Sequence, residues 1–144
     1  MALADELAAI SAKIDAAVAS ALENEVADAV KAKMQDVLES EIYSYNASDF
    51  FMGTRRYDNG GLMDTRNMTS WTENGDTLYV QNDAEAQSLW EDTTRMLDVI
   101  VTNGALNYGP HAGKHDFYGD TESQAVQSGD VERALQAGLN RQGF

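Results

Sequence analysis

The sequence predicts an α+β domain: a long N-terminal helix, a small antiparallel β-sheet with a hairpin, a short helix, and a C-terminal helix packed on the sheet. Three observations carry this. Residues 2–45 contain no glycine or proline and are rich in alanine, leucine, glutamate and lysine, which lose little on entering a helix. Asn74-Gly75 separates two alternating segments, a strong short-range hairpin signal. Asp130 precedes an amphipathic stretch that fits a last helix.

The N-terminal stretch organises the rest. As one helix over residues 2–45 it is about 65 Å long, at about 1.5 Å per residue, too long for one small core. At about 100° per residue, Leu3, Leu7, Ile10, Ile14, Ala17 and Val18 share one face. Val26, Val30, Met34, Val37 and Leu38 share a nearly opposite one. Either the chain breaks near Ser20–Glu25, where Ser20 and Glu23 fit a capping box, or one continuous or gently kinked helix touches two bodies. Nothing else there breaks a helix, so continuity is favoured. On that reading Leu3, Leu7, Ile10 and Ile14 form a subunit interface. A helical hairpin folded on its own domain is the alternative.

After Tyr45 the texture changes. Tyr43, Tyr45, Phe50, Phe51 and Tyr57 form an aromatic cluster suited to a helix–sheet seam, and Gly60-Gly61 marks a turn. Thr65 to Trp71 reads as a strand. Thr77 to Asn82 alternates, with Leu78 and Val80 inward and Tyr79 and Gln81 outward. Residues 84–95 fit a loop or a short helix. Met96 to Asn103 reads as a short helix that Gly104 ends. Residues 104–121 hold both histidines and the single proline, and read as a long irregular loop. Asp130 is the expected N-cap for Val131 to Asn140, with Val131, Ala134 and Leu135 on one face; Gly138 weakens that helix slightly.

Length and composition bound the function. A chain of 144 residues is the size of one domain, so residues 1–144 are read as a single unit. There are no cysteines, which excludes disulfides and thiolate metal sites. Ten basic residues against twenty-four acidic ones give a net charge of −14, a field that repels nucleic acid. The close basic pairs, Lys31/Lys33 and Arg55-Arg56, are too few for a DNA footprint. No apolar run approaches membrane-spanning length, and the acidic MALADELAAI is not an export signal.

No catalytic constellation emerges, and a non-enzyme without cofactor is expected. His111 and His115 are four apart, with Asp116, Asp120 and Glu122 behind them, but neighbouring glycines disfavour the helix that would align two imidazoles on a metal. The carboxylates Asp5, Glu6, Glu23, Glu25, Glu39 and Glu41 read as a solvated helix face. The serines lack a nucleophile elbow, and Gly60-Gly61 lacks the spacing of a phosphate loop.

Four runs carry a resemblance: RRYDNGGLMDTRN, the hairpin ending TLYVQNDA, LDVIVTNG, and the closing ALQAGLNRQGF. Together they resemble a family of tailed-bacteriophage tail-completion or head–tail joining (neck) proteins, over roughly residues 40–144 and more loosely the first helix. The resemblance implies a long helix, an antiparallel sheet, a short helix ending in glycine, and a final helix against the sheet. It also implies a virion component, assembled in the host cytoplasm, that forms a homo-oligomeric ring and contacts head-connector or tail proteins without cofactor or catalysis. The chain departs from the family where an arginine-proline-phenylalanine segment is usual and His115-Asp116-Phe117-Tyr118 stands instead. A metal-dependent enzyme built on His111 and His115, and a soluble helical adaptor, are the alternatives.

Overall fold

The long helix forms as its composition dictates, and its hydrogen-bond ladder changes where its apolar face changes side. In the computed structural model, which describes residues 2–43, 61–86, 95–96, 102 and 116–144, α1 (Leu3–Ala21) runs through a π-turn (Leu22–Val26) into α2 (Ala27–Leu38) and a second π-turn (Glu39–Tyr43). The residues at the joints keep right-handed helical backbone angles, so the helix is continuous. A π-turn takes up an extra residue and rotates the faces that follow it. Ser20 therefore caps nothing. Its hydroxyl instead accepts from Arg141 Nη2 at 2.9 Å and Gln142 Nε2 at 3.2 Å, tying down the end of the chain's last helix.

The hairpin packs along that change, the Thr72 hydroxyl donating to Glu23 in the first π-turn. Asp64 accepts from the Arg66 backbone N–H at 3.0 Å and holds a 3-10 turn over Thr65–Asn67. The strand expected from Thr65 accordingly starts at Met68, because a local side-chain bond competes with the ladder. Strand β1 (Met68–Glu73) pairs antiparallel with β2 (Thr77–Asn82), from Met68↔Asn82 to Glu73↔Thr77. Asn74 and Gly75 take φ of 57° and 72°, as a tight hairpin needs. Val80 packs on the core, while Trp71 and Tyr79 stack on the outer face with ring centroids 5.5 Å apart. A second antiparallel pair joins β3 (Glu85–Ala86) to β4 (Arg95–Met96). Met96 thus sits in a strand rather than opening a helix. Of the expected Met96–Asn103 helix only Thr102 is otherwise described, and it is helical; Gly104 lies outside the described residues.

Helix α3 (Phe117–Gln127) corrects the loop reading of residues 104–121 at its end. Asp116 caps it, accepting from the Gly119 N–H at 3.1 Å. Helix α4 (Asp130–Arg141) follows after Gly129, which takes φ 80° and occupies the N-cap position expected for Asp130. Asp130 instead pairs with Lys33 at 2.9 Å and with Arg133. Since Arg141 pairs with Glu25, α4 runs antiparallel along the long helix.

The core joins the long helix, the hairpin base and α3 through Met34, Val37, Leu38, Ile42, Leu62, Met68, Ala84 and Phe117. Asn82 is fully buried yet satisfied: its Nδ2 donates to the Leu62 carbonyl at 2.6 Å and its Oδ1 accepts from Ala84 N at 3.1 Å. Its backbone N–H donates to the Tyr118 hydroxyl at 2.8 Å. Among the helices after the sheet it is thus α3, through Tyr118, that ties to the hairpin base, while α4 takes its main support from the long helix.

Candidate assembly surface

The first half of α1 stands clear of the body. Every residue from 2 to 16 is exposed, and Ala17 is the first buried one. Leu3, Leu7, Ile10 and Ile14 are 70%, 58%, 53% and 43% exposed. The spacing of this stripe continues into Ala17 and Ala21, which are buried. Steps of four and three alternate from Leu3 to Ala21, the spacing of a coiled-coil seam. One seam therefore has two fates. Its C-terminal part lies under α4, whose Gly138 meets Ala21, and its N-terminal part is uncovered among the described residues. Burying the four large side chains is worth roughly 6–12 kcal/mol gross, part of which any association gives back in lost freedom.

A second apolar surface is concave. A cleft of about 450 Å³ opens between the hairpin and α3. Its floor is Val26, Val30 and Met34 of the long helix, Leu78 and Val80 line one wall, and Tyr118, Ala125 and Val126 line the other. Glu122 is the one charged side chain among its lining residues. Val126 remains 64% exposed.

The carboxylates do not behave as one solvated face. Asp5, Glu6, Glu23 and Glu39 are exposed, as expected, and Glu23 accepts from the Thr72 hydroxyl at 2.8 Å. Glu25 is half-buried against Arg141, whose guanidinium holds its carboxyl below the usual range. Glu41 is also half-buried, against Asp120 and Asp116. Burial, and then the Asp120 carboxyl beside it, push the Glu41 carboxyl up to about 7. One of its oxygens is sealed from water without a hydrogen-bond partner among the described residues. Asp130, facing Lys33 first and then Ser128 and Arg133, is drawn down to about 2.

His111 and His115 lie outside the described residues, as do Arg55-Arg56, Gly60 and the aromatics Tyr45, Phe50, Phe51 and Tyr57. Among the described residues no group of three metal-ligating side chains converges, and no helix is long and apolar enough to cross a membrane.

The same molecule thus carries a rod with an uncovered seam, a cleft and no convergent chemistry among its described residues. A family model, YomN, matches residues 6–141, nearly the full length, with the cleft and all of the stripe but Leu3. The chain belongs to the YomN family. The YomN family is phage-derived, and a phage origin is what that membership suggests for this chain. No curated protein and no solved structure matches it.

Sequence reasoning singled out the YomN stripe but missed the cleft, because it missed α3. The signal was present. Phe117, Thr121 and Ala125 recur every four residues, and all three are buried.

Proposed function

We propose that this chain is a structural component of the phage particle, forming a homo-oligomeric ring at the neck or tail end that joins the head connector to the tail. The observation that carries the reading is the uncovered stripe Leu3, Leu7, Ile10 and Ile14 on a projecting helix. Contiguous apolar surface of that kind marks an interaction site. Phage ancestry of the family and the resemblance of residues 40–144 to neck and tail-completion proteins support the place in the particle. The role is architectural, without catalysis or cofactor. A net charge of −14 suits a ring through which DNA passes without sticking.

The test is genetic. A phage or induced prophage lacking this chain should accumulate filled heads and separate tails. The native chain supplied in trans should restore joined particles, and a Leu7→Asp/Ile10→Asp variant should not. Joined, infectious particles in its absence would refute the reading.

A further inference from the structure

We propose that Asn74 is a site of spontaneous covalent modification: its side chain closes onto the Gly75 nitrogen and reopens as an isoaspartyl linkage that loosens the hairpin tip from α1.

An asparagine carboxamide is attacked most readily where glycine follows, because no Cβ crowds the attacking backbone nitrogen. Of the three Asn-Gly pairs, Asn59-Gly60 and Asn103-Gly104 lie outside the described residues, and Asn74-Gly75 forms the hairpin tip. Both reacting groups are free there. Asn74 is exposed, and neither its carboxamide nor the Gly75 N–H makes a hydrogen bond. What closes the turn is the Asp76 N–H donating to the Glu73 carbonyl at 3.3 Å, a long bond. Asn82 shows the opposite case. It is buried, followed by Asp83, and its carboxamide is held by the Leu62 carbonyl and the Ala84 N–H.

The reaction needs only water. The Gly75 nitrogen attacks Asn74 Cγ; the N–Cγ bond forms, the Cγ–Nδ2 bond breaks, and the proton from Gly75 leaves with Nδ2 as ammonia. Water then opens the cyclic imide. Opening at Cγ gives aspartate at position 74. Opening at the main-chain carbonyl leaves Gly75 joined through Cγ, which is isoaspartate. Nothing is oxidised or reduced.

The isoaspartyl product adds a methylene to the main chain at the turn that sets the strand register. It also places a carboxylate between those of Glu73 and Asp76. The tip cannot absorb this without moving, because Gly75 faces α1: a Cβ built on it would lie 3.7 Å from the Ala19 Cβ. Ala19 sits between Ala17 and Ala21, where the long helix becomes covered. The change therefore acts on the contact between the hairpin and the root of the projecting helix.

Ageing the full-length chain at mildly alkaline pH, followed by peptide mapping, tests the chemistry. The peptide carrying Asn74 should gain the mass of an amide becoming an acid, with isoaspartate the larger product. Its rate should fall within about tenfold of that in the urea-unfolded chain, because opening an exposed turn costs little. A folded chain that keeps Asn74 while the unfolded chain loses it would overturn the site, and aspartate without isoaspartate would overturn attack by Gly75. Asn74→Asp separates charge from backbone lengthening, since Asp-Gly suits the same turn. The purified isoaspartyl form should melt below this variant and exchange its hairpin amides faster. Equal melting and exchange in the two would overturn the loosening of the tip.

Discussion

Gly138 of α4 sits directly on Ala21 of α1, so close that a Cβ on Gly138 would lie 2.9 Å from the Ala21 Cα and 2.8 Å from Glu25 Oε2. The contact fixes where α4 crosses the long helix. From there the Glu25–Arg141 pair, the Ser20 hydrogen bonds and the Lys33–Asp130 pair follow along the two helices.

Gly138→Ala sets two effects against each other. Alanine improves helix propensity by about 1 kcal/mol, while forcing a methyl into a packed contact costs about 1–3 kcal/mol. The obstacle includes backbone, which cannot swing aside, so the clash wins. A net loss of about 1 kcal/mol is expected in urea unfolding. A stabilised variant would show that α4 can lift off α1 freely.

Gly75→Val isolates backbone strain from packing. A Cβ at Gly75 would meet the Ala19 Cβ at 3.7 Å, an ordinary contact, so the branch-point carbon itself fits. The cost comes from φ of 72°, which a β-branched residue fits badly. Thermal melts should show a loss of about 1–2 kcal/mol. No change would mean that the turn relaxes to another conformation.

Glu41 sets the pH response near neutrality. Its carboxyl titrates at about 7 when folded, above its ordinary value of 4.5. The folded state therefore binds the extra proton between these values. The contribution is complete below about 4.5 and lost as pH rises through about 7. Glu25 and Asp130 are shifted the other way, so their contributions are present above the ordinary carboxylate range and lost as pH falls. Glu41→Gln should flatten the decline in melting temperature between pH 5 and 8 and leave the acid limb in place. Parallel curves for the two proteins would remove Glu41 as the source.

Much of this was legible because it is local. The long helix follows from composition and periodicity over forty residues, and the hairpin from Asn74-Gly75. Helix α3 was hidden by Gly119 and the polar run Asp120–Gln124, although Asp116 and Phe117 start it with a cap and a core anchor. Gly138 read as a weakness in α4 because its partner, Ala21, is more than a hundred residues away in the chain. Glu41 read as solvated for a similar reason: its burial depends on α3 arriving beside it. Periodicity places Leu3 to Ile14 on one face but says nothing of what covers that face.

Charge gives a salt signature. Subunits that each carry −14 repel, and salt screens that repulsion while leaving apolar contact intact. Self-association should therefore strengthen between low and physiological salt. Over the same range no micromolar affinity for random duplex DNA should appear, since a net attraction to phosphate is lacking. Assembly that weakens with salt would point to ion pairs rather than the apolar stripe.

The central claim is that the uncovered stripe on α1 is an assembly interface. Sedimentation equilibrium of the full chain beside its Leu7→Asp/Ile10→Asp variant tests it most directly. The native chain should show a concentration-dependent oligomer. The variant should sediment as a monomer with an unchanged melting temperature, because both positions are exposed in the subunit. A native chain that stays monomeric at every concentration, or a variant that assembles as well as the native chain, would contradict it.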